Sequence, residues 1–247
     1  MRALALACAL CALGASLAAA IQSRPAGAAE QISVTARQSA AEPDLIAQIE
    51  HYRKVTWHWQ QVMGVPRTDT NRTAQRSPDR AYRRWVLRLW KHRAHRVQAK
   101  ASRWLVVQAH AYQKTVAHWQ HVMGIRATPT RHTASASPSL RYRAWVYRLW
   151  KQRAAVILKK AEHPPHEAAW RCIHRYEGSW TDTGRPYYGG LQMDLSFQRH
   201  YGAYLLRAKG TADNWTPLEQ MWVAAKALRS GRGFYPWPNT ARMCGLI

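Results

Sequence analysis

One carboxylate in this chain stands in a setting suited to proton transfer. Glu177 falls within WRCIHRYEGSW, from Trp170 to Trp180, where the pattern predicts a helix that ends at Gly178. A carboxylate in the last turn of a helix faces the negative end of the backbone dipole, and the adjoining Tyr176 and Trp180 would draw water away from it. Both effects favour the protonated carboxyl, the form that a general acid needs near neutrality. A surface glutamate paired with Arg171 or Arg175 fits the same residues. Asp182 and Asp194 are the candidates for a second carboxylate, and each also suits a turn or a helix cap.

Other chemistries find little footing. His166-Glu167-Ala168-Ala169-Trp170 lacks the second histidine of a zinc-binding helix. His118 and His121 have ligand-compatible spacing, but a duplicated copy of that segment carries His58 and Gln61 instead. There is no P-loop, dinucleotide-binding glycine turn or nucleophile elbow, so neither a metal nor a cofactor is expected.

The elements that must position Glu177 belong to a C-terminal segment, 166–247. After the predicted helix comes a turn-rich stretch, with short strands expected around Tyr187 and Gly189-Gly190. A buried helix then begins at Thr216-Pro217, an N-cap followed by proline at the first helical position. Pro164-Pro165 marks the boundary with what precedes.

At the other end, Met1 and Arg2 lead into an uncharged, Ala- and Leu-rich run to Ala20, which predicts a cleaved secretory signal. Cleavage after Ala29 is a second option. A membrane anchor is the alternative, because about 20 apolar residues can span a bilayer. Residues 21–43 read as a flexible linker. Export would leave Cys172 and Cys244 in the mature chain, and one pair in an exported protein is expected to form a disulfide. Its loop of about 70 residues would contribute roughly 4 kcal/mol, less any strain. Two free buried thiols are the alternative.

The charge is concentrated between these ends. The 247 residues carry 37 Lys+Arg and 13 Asp+Glu, a net +24. Residues 51–160 hold 24 of those bases and only Asp69 and Asp79 as acids, net +22, whereas 161–247 hold ten bases and seven acids, net +3. The basic section, assigned to 44–163, is a duplication. His51–Ala94 and Ala111–Ala154 share 24 identities in 44 positions. Each copy reads as helix, loop, helix, with Gly64 and Gly124 as C-terminal caps and Ser77-Pro78 and Ser137-Pro138 as N-terminal signals. No strong breaker interrupts Asp79 to Met123, so one long helix or two abutting ones should join the copies, followed by a helix from about Ser139 to Ala161. The apolar spacing puts Trp59, Trp85, Trp119 and Trp145 in the core and leaves Trp57, Trp90 and Trp150 off the buried stripe. Such an excess of cations exceeds what solubility requires and points to an anionic partner.

The segment from Ala169 to Leu246 resembles the catalytic domain of the resuscitation-promoting factors, peptidoglycan-cleaving relatives of lysozyme and the soluble lytic transglycosylases. The resemblance is carried by the helix ending in Glu177, by Trp180, and above all by Tyr187-Tyr188-Gly189-Gly190-Leu191-Gln192 after Thr183-Gly184. The cysteine pair and Trp237-Pro238 add to it. It implies a small lysozyme-like α+β domain with Glu177 as catalytic acid, and Trp180, Thr183, Tyr187, Tyr188 and Gln192 along the substrate groove. The chain departs from the family pattern at two places. Cys172 stands five residues before the glutamate, where the family has cysteine directly before it, and the Glu177–Trp180 spacing is shorter. The basic repeat lies outside the resemblance.

The sequence therefore predicts a mainly α protein, a duplicated basic helical module followed by a lysozyme-like domain. It would be secreted and cell wall-associated. It would cut the β-1,4 bond between N-acetylmuramic acid and N-acetylglucosamine in peptidoglycan glycan strands and bind anionic wall polymers or a membrane surface through its basic module. Two other readings fit the same residues. One is a non-enzymatic wall-binding or scaffolding protein; the other is a nucleic-acid binder, which an export signal disfavours.

Overall fold

The computed structural model describes residues 45–68 and 77–247. The expected export signal and the linker lie outside the described residues. Those described are mainly helical, with one two-stranded sheet. They divide into two compact units, one holding residues up to His51 and Asn71–Leu89, the other Tyr52–Thr70 and Trp90–Ile247.

Helix α1 spans 45–62. Helix α2 runs unbroken for 44 residues, Arg80–Met123, and helix α3 is Leu140–Ala161. The duplication is visible in local chemistry. Gly64 and Gly124 adopt φ of 68° and 64°, and each helix end is closed by paired bonds, Val65 N–H to Gln60 O and Ile125 N–H to Gln120 O, both 3.0 Å. Gln60 and Gln120 then clamp the following loop. Their amide nitrogens donate to Thr68 Oγ1 (2.7 Å) and Thr128 Oγ1 (2.6 Å), and their oxygens accept from the Thr68 and Thr128 N–H groups at 3.0 Å. The N-terminal caps fall one or two residues beyond the Ser-Pro signals. Asp79 accepts from Ala81 N–H and Ser139 from Tyr142 N–H.

The tryptophans do not follow the predicted stripe. Trp90 and Trp150 are 2% and 1% exposed, whereas Trp85 and Trp145 are 49% and 42% exposed. In α2 the buried line is Val86, Trp90, Ala94, Ala101, Leu105, Ala109, Val116 and Met123; in α3 it is Val146, Trp150, Ala154, Ile157 and Ala161. Alanines set this seam, because their small side chains admit close approach of a neighbour. A reading weighted by side-chain hydrophobicity follows the larger residues and lands one position away. Trp57, half-buried, lies under the Arg53 and Arg67 guanidinium groups, 4.7 and 5.5 Å from its ring.

Pro164 and Pro165 stand at the turn between α3 and α4 (Glu167–Glu177). The hydrophobic core continues past them, joining Val116, Val146 and Trp150 to Trp170, Met221 and Trp237. Strands β1 (Tyr187–Tyr188) and β2 (Met193–Asp194) pair antiparallel. Short helices α5 (Leu195–Tyr201) and α6 (Ala203–Lys209) precede α7, Pro217–Ala227, and α8, Pro238–Met243, closes the chain. As the sequence predicts, Thr216 caps α7, here within a reciprocal capping box with Glu219.

Helix α7 is the axis of this unit. Trp222 Nε1 donates to Ala161 O at 2.8 Å. Lys226 Nζ and Arg229 Nη2 donate to His121 O (3.3 Å) and Met123 O (2.8 Å), setting two cations on carbonyls of the last turn of α2. Burial, with the charge of Arg229, pulls the Lys226 amine down to about 8. Glu219, 1% exposed, joins three elements. It accepts from Lys209 Nζ at 2.7 and 2.8 Å and from Thr216 N–H at 2.7 Å, and it pairs with His118 Nε2 of α2 at 2.8 Å. Burial by itself pushes this carboxyl up. The bonds from His118, Lys209 and Thr216, with the Lys209 charge, outweigh it and hold the group at about 2 rather than 4.5.

The depressed value fixes the sign of the pH dependence. Stabilisation from Glu219 is complete above about pH 4.5 and is lost as pH falls through about 2. Glu219→Gln should destabilise the fold by about 3 kcal/mol in denaturant melts at pH 7. It should also flatten the decline in stability below pH 4.5 relative to the wild type.

Candidate active site

Helix α4 places Glu177 by simple periodicity. Trp170 and Ile173 are fully buried, and Glu177 follows at the next turn of the same face. Arg171 and Arg175 lie on the opposite, exposed side. Arg171 pairs with Glu167 at 2.7 Å instead, and Glu177 has no cationic partner among the described residues. Its Oε1 accepts a hydrogen bond of 2.7 Å from the Thr240 hydroxyl of α8, which is 8% exposed. The expected disulfide is present: Cys172 and Cys244 are bonded with Cα atoms 6.0 Å apart. It ties α4 to the residue after α8, and so holds the helix carrying the carboxylate against the helix carrying its donor.

The residues after Glu177 form a knot around Asp182. Gly178 caps α4 at φ 141°, and a Cβ there would meet Asp182 Oδ2 at 3.3 Å and Gln192 Nε2 at 3.6 Å. Asp182 accepts from Gly184 N–H at 3.0 Å and from Gln192 Nε2 at 2.8 Å, while its carbonyl accepts from Gly189 N–H at 2.8 Å. Gln192 completes the turn at φ 47°, a left-handed conformation that costs a non-glycine residue about 1–3 kcal/mol. Asp194 caps α5 by accepting from Phe197 N–H at 2.7 Å. Both candidate second carboxylates therefore have structural bonds of their own.

The predicted groove residues divide. Tyr187, 49% exposed, and Gln192 line one cavity of about 240 Å3 with Asp194, Ser196, Arg232 and Trp237. Thr183 is exposed on the loop beside them. Tyr188, 8% exposed, belongs to the hydrophobic core. Trp180 is half-buried, with its ring stacked on His174 at 4.0 Å between centroids rather than left open to a ligand. Tyr176, expected to shield Glu177, is 47% exposed. Two interior residues support the loop from below. His174 Nδ1 lies 3.2 Å from Gly190 O, and Gln220 of α7 donates to Trp180 O and Ala212 O, each at 2.8 Å. No sequence signal singles out Thr240, Gln220 or Arg232, because each is brought in from more than 40 residues away by tertiary packing.

The glycines of the Tyr-Tyr-Gly-Gly motif act through close approach. A Cβ on Gly190 would sit 2.6 Å from His174 Nδ1 and 2.7 Å from Trp180 Cε3, and one on Gly189 would sit 2.6 Å from Gln220 Oε1. Among the described residues no helix is long and apolar enough to cross a membrane, and no cluster of ligating side chains forms a metal site. Set against known protein families, curated proteins and solved structures, the chain matches none. Gly190→Ala should destabilise the unit by about 2 kcal/mol, lowering Tm and displacing Trp180 from its stack; the loss of stacking is read from tryptophan fluorescence.

Proposed function

We propose that this chain is an exported peptidoglycan-cleaving enzyme in which Glu177 protonates the glycosidic oxygen between N-acetylmuramic acid and N-acetylglucosamine. The observation that carries this reading is the state of Glu177. It sits at a helix terminus, has no cationic partner among the described residues, and accepts from a neutral hydroxyl on α8, while Tyr187 and Gln192 line a polar cavity that Trp237, the residue before α8, also lines.

The chemistry follows from having one such group. Cleavage of a glycosidic bond needs a proton on the leaving oxygen and a means of quenching the oxocarbenium-like sugar. With Asp182 and Asp194 engaged in a turn and a cap, the proposed route uses Glu177 twice. It first donates its proton to the departing sugar. As the base, it then takes the proton from the muramic 6-hydroxyl, which closes on the anomeric carbon to give a 1,6-anhydro ring. No water is consumed. The basic helices are assigned to retention on anionic wall polymers, a reading supported by the run from Arg80 to Ala161, which contains no Asp or Glu at all.

Glu177→Gln should fold with an unchanged melting temperature and release no muropeptides from purified sacculi; retained release would remove Glu177 from the mechanism. Binding of the inactive variant to walls should fall steeply from about 50 to 200 mM salt, as for other polyanion partners. Salt-independent retention would point to aromatic sugar contacts instead.

A further inference from the structure

The described structure holds a cavity of about 240 Å3, lined by Tyr187, Gln192, Asp194, Ser196 and Arg232 among others but not by Glu177, and the proposed reaction does not use all of these polar side chains. Sites that enclose a whole drug-sized ligand run to about 300–1,000 Å3, so this one suits a single ring or the substituent that a ring carries. One side chain connects it to the helix end that carries the proposed catalytic carboxylate. Gln192 lines it, and the Gln192 amide lies beside the Cβ position of Gly178, the residue after Glu177.

The charges in the lining are unequal in their freedom. Asp194 uses Oδ1 to cap α5. Arg232 is exposed and forms no ion pair with any described residue, nor does Asp194 reach it. The backbone is bent to place it there. Gly231 and Gly233, on either side, adopt φ of 89° and 55°, conformations open to glycine and disfavoured for other residues. Tyr201 holds the same segment through a 3.0 Å bond between its hydroxyl and Ser230 Oγ. A planar guanidinium held at the mouth of a small polar cavity, with no partner of its own, matches the fork geometry of a carboxylate.

We infer that Arg232 and this cavity form a subsite for a carboxylate carried on the sugar, and so select acidic glycans over uncharged ones. The inference rests on the proposed glycan-cleaving function and adds a specificity-determining residue to it. In a wall glycan that carboxylate belongs either to the lactyl ether of the muramic ring or to a peptide joined to it. Both offer the same anionic group to Arg232.

Isothermal titration of the full chain carrying Glu177→Gln separates the outcomes. Three probes suffice: an alternating muramic–glucosamine tetrasaccharide with free lactyl carboxylates, the same tetrasaccharide with peptide amide-linked to the lactyl groups, and chitotetraose. At least one acidic probe should bind about tenfold or more tighter than chitotetraose, and adding Arg232→Gln should remove that advantage without changing the melting temperature. Preference for the first probe assigns the lactyl group, and preference for the second assigns the peptide. Equal binding of all three, or an advantage that survives Arg232→Gln, overturns the subsite while leaving the proposed function standing. Binding of none overturns both.

Discussion

Two adjacent buried polar side chains on α7 hold this structure together. Glu219 and Gln220 are 1% and 0% exposed, a position that costs several kcal/mol unless every group is paired. Glu219 meets that demand with Lys209, Thr216 and His118. In doing so it fixes α7 to the end of α6 and to the long helix α2. Gln220 turns the other way: its amide nitrogen donates to Trp180 O, Ala212 O and Trp215 O (the last at 3.1 Å), while its Oε1 is buried without a partner among the described residues. One residue therefore anchors the helical scaffold and its neighbour anchors the loop beyond Glu177. Apolar packing of the same helix, through Trp222 and Met221, supplies the bulk of the burial but would tolerate small rotations. Directional bonds to fixed partners set the register.

The candidate site inherits its geometry from that register. Glu177 is placed by helix periodicity, Thr240 by the Cys172–Cys244 bridge, and the Asp182 knot by Gln220 from beneath. None of these constraints touches the exposed edge of the groove, where Tyr187 and Arg232 stand. The bonded parts hold Glu177 and the exposed parts carry the proposed substrate contacts, a division that suits the proposed use of one carboxylate for two successive proton transfers.

What the sequence made legible follows from the range of the forces involved. Helix ends at Gly64, Gly124, Thr216-Pro217 and Glu177-Gly178 are decided within a few residues, by backbone conformation and capping, and each stands where local pattern put it. The disulfide followed from counting the cysteines that an expected export signal would leave in the chain. The tryptophan assignment reversed because Val86 and Val146 take the buried positions beside Trp85 and Trp145, and a pattern weighted towards the larger side chain lands one residue away. In a helix with cations on its other faces, the amphipathic contrast that would resolve such a shift is slight. The environment of Glu177 was legible only in part. The helix terminus was correctly read, but the expected aromatic shield is replaced by the hydroxyl of Thr240, 63 residues on. Glu219, bonded to three elements, was not singled out by any local pattern, since its partners on α2 and α6 are remote in sequence.

In the proposed mechanism one carboxylate, without a second, both protonates the bond and closes the sugar ring. Mass spectrometry of the fragments released by the wild-type protein from purified peptidoglycan tests this directly. Muropeptides ending in 1,6-anhydromuramic acid are the predicted products. Fragments with free reducing ends would require an activated water and a second acid or base, and would contradict it.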